Sequence, residues 1–184
     1  MPLVPPLDAS PDQVKEALAP LRHDFSVALH SFGNAFAAGA LVRVAHSFLA
    51  REIFVIGGEP YYAKASMGMQ KYETIVRTDG DESFFKAVRG RPVWAIEKDQ
   101  ARLSLHAVSH FPRGVVFVFG AERGGLSAAF TGRADEVVGI PMYGVNHSLP
   151  VAAAAGIVMH EWTRRRYAAH GGRASAHSPT KRRV

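Results

Sequence analysis

One stretch decides the fold of this chain: Val115-Val116-Phe117-Val118-Phe119-Gly120-Ala121-Glu122-Arg123-Gly124-Gly125-Leu126. Its first five residues are apolar, which is typical of a strand buried on both faces of a parallel sheet. The strand stops at a turn with three glycines in six residues, which lets a ligand approach the backbone closely. Because ligands bind at the carboxyl ends of strands in such sheets, this turn is a candidate binding site. The alternative is a tight turn with an exposed Glu122.

Further apolar runs of strand length alternate with segments of helical spacing along the chain. The helix signals include Ser10 as an N-cap before Pro11, and Ser148 as an N-cap with Pro150 in the first turn. Residues 30–38 are predicted as a loop. The alternation predicts an α/β domain, with a mostly parallel sheet and helices on both faces. The predicted strands are 25–29, 53–56, 74–76, 93–96, 115–119 and 137–140, and the predicted helices are 12–21, 40–49, 81–88 and 148–167.

The length and composition are those of one globular domain. The chain has 184 residues, of which 47% are hydrophobic and 21% charged, and these values argue against a disordered or fibrous protein. We predict an N-terminal extension with a short helix over residues 1–22, a domain over 23–169, and a flexible basic tail over 170–184.

The positive charge is concentrated at the C-terminal end. Residues 164–184 hold seven of the 22 Lys and Arg residues and none of the 16 Asp and Glu residues, so the rest of the chain is close to neutral. Such a basic segment can neutralise phosphates, which makes Arg164, Arg165 and Arg166 candidates for nucleic-acid binding. The alternative is a solvated tail that only aids solubility.

Several classes of chemistry lack their signals. There is no cysteine, hence no disulfide, thiolate nucleophile or Cys-ligated metal. The sequence contains neither a dinucleotide-binding or phosphate-loop glycine pattern nor a nucleophile elbow, and the histidines have no metal-ligand spacing. No apolar run is long enough for a membrane span, and the N-terminus lacks signal-peptide features. We therefore expect a cytoplasmic protein that needs no metal and no membrane.

Two more segments carry a signal besides the glycine turn. In residues 33–43, Arg43 interrupts an apolar helix face, either as an arginine that reaches the surface or as a cation held for a phosphate or a reacting hydroxyl. Residues 140–156 run from Ile140 through a loop into an Ala-rich helix, where small residues allow close packing. We predict that this helix forms a homodimer contact, with Met159 and Trp162 as the larger apolar contacts.

Taken in order, the three segments resemble the SpoU/TrmH branch of the SPOUT RNA methyltransferases. The matching motifs are Gly39-Ala40-Leu41-Val42-Arg43, Gly120-Ala121-Glu122-Arg123-Gly124-Gly125-Leu126, and Ile140-Pro141-Met142 with Ser148-Leu149-Pro150-Val151. The resemblance covers roughly residues 25–167. It implies a C-terminal trefoil knot, an exception to the rule that protein chains are unknotted.

The resemblance also implies an activity. The expected reaction is methyl transfer from S-adenosyl-L-methionine to a ribose 2′-hydroxyl of tRNA or rRNA, by a homodimer whose site lies near the interface. By position, Arg43 is the catalytic arginine, and Glu122 and Ser148 support the site. The expected RNA-binding residues are Arg43, Arg123, Arg164, Arg165 and Arg166. The implied cofactor-binding residues are Glu97, Phe119, Gly120, Glu122, Gly124, Ile140, Met142, Ser148 and Leu149.

Two positions depart from the family pattern. Ala37 and Pro150 stand where the family usually has asparagine. This keeps a second hypothesis open, namely an RNA-binding or accessory protein with weakened catalysis. A third option is methylation of a base nitrogen, which is typical of SPOUT branches that lack the Arg43 arrangement.

Overall fold

The computed structural model describes residues 8–30, 35–58, 60, 62–121, 124–145 and 148–169. Helices and strands alternate through these residues, with short 3-10 turns at 19–21, 63–66, 69–72 and 105–107. The elements are α1 (Pro11–Leu18), β1 (Ser26–His30), α2 (Ala35–Ser47), β2 (Ile53–Ile56), β3 (Ile75–Thr78), α3 (Asp81–Ala87), β4 (Val93–Ile96), β5 (Leu103–Ser104), β6 (Val116–Phe119), α4 (Ala128–Thr131), β7 (Glu136–Gly139) and α5 (Val151–Ala169).

The strands of the described residues form one parallel sheet in the order β3-β2-β1-β6-β4-β7-β5. The predicted strand at 115–119 lies in the middle, where β6 pairs with β1 on one side and β4 on the other. Every pair is parallel, so the carboxyl ends of all strands meet at one edge. The predicted fold class is confirmed, while the trefoil knot stays a prediction.

Alternate residues of the central strands supply two cores. On β6, Phe117 and Phe119 join the core beneath α2 and α5, whereas Val116 and Val118 join the core on the other face. This period of two is what a strand covered on both faces requires. The sheet is therefore packed against apolar side chains on both faces.

The N-terminal extension is fastened to the domain by a buried ion-pair network. The carboxylate of Glu73 is fully buried and pairs with Arg22, at 2.6 Å, and with His46 Nδ1, at 2.7 Å. Arg22 also donates to the carbonyls of Ala50 and Tyr72. Burial of an ion pair is tolerated when its remaining hydrogen bonds are made, as they are here. The start of the chain is thereby tied to the segment that follows β2.

The helix starts differ from the sequence-based predictions at two places. The helix α2 begins at Ala35, inside the predicted loop 30–38, because the alanines that follow favour helix. The helix α5 begins at Val151 and not at Ser148, and the carbonyl of Pro150 accepts from the amides of Ala153 and Ala154. Since a residue before proline disfavours helical dihedrals, the helix cannot extend back through Leu149. The predicted N-cap role of Ser148 is therefore wrong.

The Ala-rich helix packs within its own chain. Residues Val158, Met159 and Trp162 of α5 are buried in the core, and α5 packs against α2. A Cβ added at Gly156 would lie 3.7 Å from Val44 Cγ1, an ordinary van der Waals contact, so α5 lies close against α2. The prediction that Met159 and Trp162 contact a partner is therefore wrong, because both are already covered.

None of the helices in the described ranges combines the length and the hydropathy that a bilayer span requires.

Candidate active site

A cavity of about 330 Å³ opens at the carboxyl ends of β4, β6 and β7. Three loops surround it: the one after β4, the glycine turn after β6, and the segment that leads from β7 into α5. Its floor is apolar and its rim carries carboxylate and hydroxyl groups. The lining residues are Ile96, Glu97, Lys98, Asp99, Gln100, Phe119, Gly120, Ala121, Gly124, Gly125, Leu126, Ile140, Met142, Ser148, Leu149, Val151 and Ala154.

The carboxylate of Glu97 holds two of these loops together. Its Oε1 accepts from the backbone amides of Lys98, at 2.8 Å, and Asp99, at 3.3 Å. Its Oε2 accepts from the amide of Leu126 at 2.9 Å. Three acceptor positions of this one side chain are thus used by backbone. Glu97 shapes the cavity wall, and its hydrogen bonds fix the loop after β4 against the glycine turn.

The glycine turn is tightly packed at Gly120 and Gly125. A Cβ at Gly120 would clash with the backbone of Gly125, with its Cα and O both at 2.7 Å. Gly125 has φ +61° and faces the Glu97 carboxylate, and Gly124 has φ +96°. These conformations are left-handed, which glycine adopts without strain. The backbone after β6 therefore forms part of the cavity wall directly.

The predicted cofactor residues come together in this cavity. Eight of them line it: Glu97, Phe119, Gly120, Gly124, Ile140, Met142, Ser148 and Leu149. Glu122 and Arg123 lie outside the described residues. Sequence reasoning missed Asp99 and Gln100, which line the wall beyond Glu97. Their only sequence signal was their place in the loop after a buried strand.

Arg43 does not line the cavity. It lies exposed on α2, with its carbonyl accepting a hydrogen bond from Ser47 Oγ at 3.2 Å. Within one chain the side chain of Arg43 reaches the surface, and its catalytic role stays a prediction. The structure does not bring Arg43 together with Ser148 in the same cavity.

The arginines at the end of α5 are engaged with acidic side chains. Arg164 and Arg165 both pair with Glu161, at 2.7 and 2.5 Å. Arg166 lies 3.7 Å from Asp24 and over the ring of Trp162. These carboxylates come from outside residues 164–184, so the charge count alone overstated the net positive potential here. The tail beyond residue 169 lies outside the described residues.

Because it pairs with two arginines, Glu161 contributes to the stability of the fold in a way that depends on pH. Hydrogen bonds from Arg164, opposed by burial and helped by Arg165, lower the pKa of Glu161 to about 2. A lowered carboxyl pKa stabilises the fold above its unfolded value of about 4.5, and this stabilisation is lost as the pH falls toward 2.

We therefore expect Glu161→Gln to flatten the loss of stability between pH 4.5 and 2, measured by urea unfolding across a pH series. Glu82→Gln is a suitable control, because that carboxylate is exposed and pairs with Arg133. An identical acid profile for Glu161→Gln and wild type would contradict this role.

A second cleft adjoins the first across the glycine turn. It shares Ala121, Gly124 and Gly125 with the cavity and continues to His30 at the end of β1. His30 Nε2 lies 3.0 Å from Asp81 Oδ1. Burial lowers the pKa of His30, and the Asp81 carboxylate opposes this shift. Within the described residues, no three His, Asp or Glu side chains are placed to hold a metal ion.

The parallel sheet, with a cavity and a glycine turn at its carboxyl edge, defines an α/β domain with a candidate ligand site. The chain belongs to the SpoU rRNA Methylase family, whose model matches residues 24–160.

Two named RNA methyltransferases are similar to the chain over different lengths. It is 38% identical over 104 residues to the 23S rRNA (adenosine(1067)-2'-O)-methyltransferase of Streptomyces laurentii, covering 55% of this chain but only 38% of that enzyme. It is 28% identical over 159 residues to the tRNA (guanosine(18)-2'-O)-methyltransferase of Thermus thermophilus, covering 84% of this chain and 81% of that enzyme.

A solved structure shares the fold. The AdoMet-bound rRNA methyltransferase from Sinorhizobium meliloti superposes with a TM-score of 0.69 at 25% identity, covering 82% of this chain and 59% of that chain.

Proposed function

We propose that this protein transfers a methyl group from S-adenosyl-L-methionine to a ribose 2′-hydroxyl of structured RNA. The observation that carries the proposal is the meeting of the loops after β4, β6 and β7 around one cavity. Two of these loops hold the family motifs at 120–126 and 140–151. The named relatives from Streptomyces and Thermus methylate ribose hydroxyls of rRNA and tRNA, as their names state.

The residues around the cavity fit S-adenosyl-L-methionine. Phe119, Ile140 and Leu149 offer apolar surface for a flat base, and Asp99 on the rim offers a carboxylate for hydroxyl or ammonium donors. Because Gly120 has no side chain, the turn can fold back against Gly125, and both residues line the cavity. When bound, the cofactor supplies an activated methyl group, and the protein's task is orientation. We propose that Glu97 acts through the loops it holds.

We propose that Arg43 acts on the reacting oxygen. A ribose hydroxyl is a poor nucleophile at neutral pH, so developing negative charge on it needs a cation or a base. Arg43 is exposed and lies outside its own chain's cavity, which supports a homodimer in which a second copy brings this arginine to the site. Glu122 and Ser148 are proposed to support the same site.

The RNA partner and the chain organisation complete the proposal. We propose that residues 23–169 form the catalytic domain, that residues 1–22 are an extension, and that the tail over 170–184 adds phosphate contacts together with Arg123 and the arginines at 164–166. We propose that the protein acts on RNA in the cytoplasm and requires no metal. Methyl-transfer assays with tRNA and with rRNA distinguish the two substrates.

The test combines cofactor binding and product analysis. We expect S-adenosylhomocysteine to bind in isothermal titration calorimetry. We also expect methyl transfer from labelled S-adenosyl-L-methionine to tRNA or rRNA extracted from a strain that lacks the gene. Mass analysis of digested RNA should show ribose methylation, and methylation of a base would contradict the proposal.

The accessory-protein hypothesis is not favoured. Ala37 is buried in the core beneath α2, and the named relatives are ribose methyltransferases. Cofactor binding without methyl transfer to any RNA would be the result that revives it.

A further inference from the structure

Two aromatic side chains lie exposed at the start of α2. Phe36 is 61% exposed and Tyr62 is 49% exposed, and their rings stack with centroids 6.4 Å apart and planes at 23°. Other large aromatics of the domain, such as Phe84 and Phe117, are fully buried. Since solvent-facing aromatic surface marks interaction sites, this stacked pair is a candidate binding surface.

The local backbone holds the pair in place. The amide of Tyr62 donates to the carbonyl of Ala35 at 2.8 Å. A Cβ at Gly39 would clash with the Tyr62 carbonyl and lie 2.7 Å from Ala65 Cβ, so only glycine lets this segment pack against α2. The two rings are therefore presented on fixed backbone, which lowers the entropy lost when a ligand binds.

The surroundings of the pair are basic. Phe36 and Arg43 are seven residues apart on α2, so they share a face and lie about 10 Å apart along the axis. Lys64 and Lys71 are exposed on the segment that carries Tyr62, and residues 60–72 contain no Asp or Glu. The carboxylate that follows, Glu73, is buried and paired. Aromatic rings beside lysine and arginine side chains are the features that bind unpaired RNA bases and their phosphates.

We propose that Phe36 and Tyr62 form a stacking platform for an unpaired nucleobase that flanks the methylated nucleotide. This rests on the proposed function, because Arg43 on the same helix face marks the reacting ribose. Stacking needs a base that has left its own helix, so the platform selects RNA loops over continuous duplex. Lys64 and Lys71 then contact the phosphates on either side of that base.

The test measures RNA affinity of the full-length protein with a hairpin RNA that carries one 2-aminopurine in its loop. We expect Phe36→Ala and Tyr62→Ala each to weaken binding at least ~5-fold and to reduce the quenching of 2-aminopurine, because one stacked aromatic contributes substantially to binding a base. Phe36→Tyr and Tyr62→Phe should bind nearly as wild type does. Leu21→Ala is the matched control, since Leu21 is 48% exposed and lies on the 3-10 turn at 19–21.

Two further measurements separate the explanations. Affinity for S-adenosylhomocysteine and the oligomeric state by light scattering should stay unchanged in both alanine variants. Unchanged RNA affinity in these variants, or their conversion from dimer to monomer, would overturn the platform, the second because the surface would then be a protein contact. Absence of ribose methylation by the wild type would instead overturn the proposed function.

Discussion

Replacing Arg43 by alanine is expected to slow the methyl-transfer step by about 10²–10⁴-fold, the usual contribution of a positioned acid–base or charge-stabilising group. The affinity for S-adenosylhomocysteine should barely change, because Arg43 does not line the cavity. The fold should also be retained, since the side chain is exposed and only the backbone carbonyl of Arg43 takes part in the hydrogen bond from Ser47.

Arg43→Lys should not restore the rate. A guanidinium is a planar fork with several donors, whereas an ammonium is a compact point charge at the end of a flexible chain. A role that needed only positive charge near the RNA would be rescued by lysine. A role at the reacting oxygen, with fixed donor geometry, would not.

Single-turnover assays at saturating RNA and cofactor measure this step directly. Arg51→Ala is a matched control, because Arg51 is an exposed arginine just before β2, at the opposite edge of the sheet. Near-normal turnover by the Arg43→Ala protein would remove Arg43 from the proposed mechanism. Loss of rate together with a shift to monomer would instead assign it a role in dimer contact.

The strands that are buried on both faces were predictable, whereas β5 (Leu103–Ser104), which is two residues long and only half-buried, was not predicted. The run at 53–56 and the run at 93–96 match β2 and β4 residue for residue, since continuous apolar residues leave no other place for these segments. Helix starts were less predictable. The start of α5 depends on the dihedral restriction before Pro150, which competes with the capping preference of Ser148.

The cavity was predictable in its outline and not in its detail. Glycines and motif residues at strand ends identified the loops, because all parallel strands end at one edge. The hydrogen bonds and ion pairs that join distant segments could not be predicted from the sequence. The hydrogen bond between Glu97 and Leu126 joins residues that are 29 positions apart in the chain. The ion pair between Asp24 and Arg166 joins a residue near the start of the domain to one near its end. Such pairings depend on the assembled sheet and have no local pattern.

Glu97→Gln is expected to weaken cofactor binding by about 10–100-fold. Both carboxylate oxygens accept backbone amides, one side toward Lys98 and Asp99 and the other toward Leu126. The glutamine side chain has only one oxygen, so its NH₂ group would face a backbone N–H either at Lys98 and Asp99 or at Leu126. The hydrogen bonding on that side would be lost. Loss of a hydrogen bond to a charged group costs about 1.5–3 kcal/mol, which corresponds to the expected range.

The loss should appear in cofactor affinity more than in global stability. In the ligand-free protein the displaced loop can turn its amide toward water, because Lys98 and Asp99 are exposed. A bound cofactor would cover this edge and force the unpaired amide out of water, so the cost is realised on binding. Once the cofactor is saturating, the rate of the chemical step should be close to that of wild type, because we propose that Arg43, and not Glu97, acts on the reacting oxygen.

Calorimetric titration with S-adenosylhomocysteine, urea unfolding and single-turnover rates at saturating cofactor separate a positioning role from a purely structural one. Glu136→Gln is the control, because that carboxylate accepts the amide of Val137 and pairs with Arg102 without lining the cavity. Wild-type affinity in Glu97→Gln would show that the loops keep their places without this carboxylate. A fall in unfolding free energy as large as the fall in binding free energy would show that Glu97 supports the fold as a whole. Weakened binding with intact stability and rate would show that one side chain, by holding two backbone segments, sets the shape of the cofactor cavity.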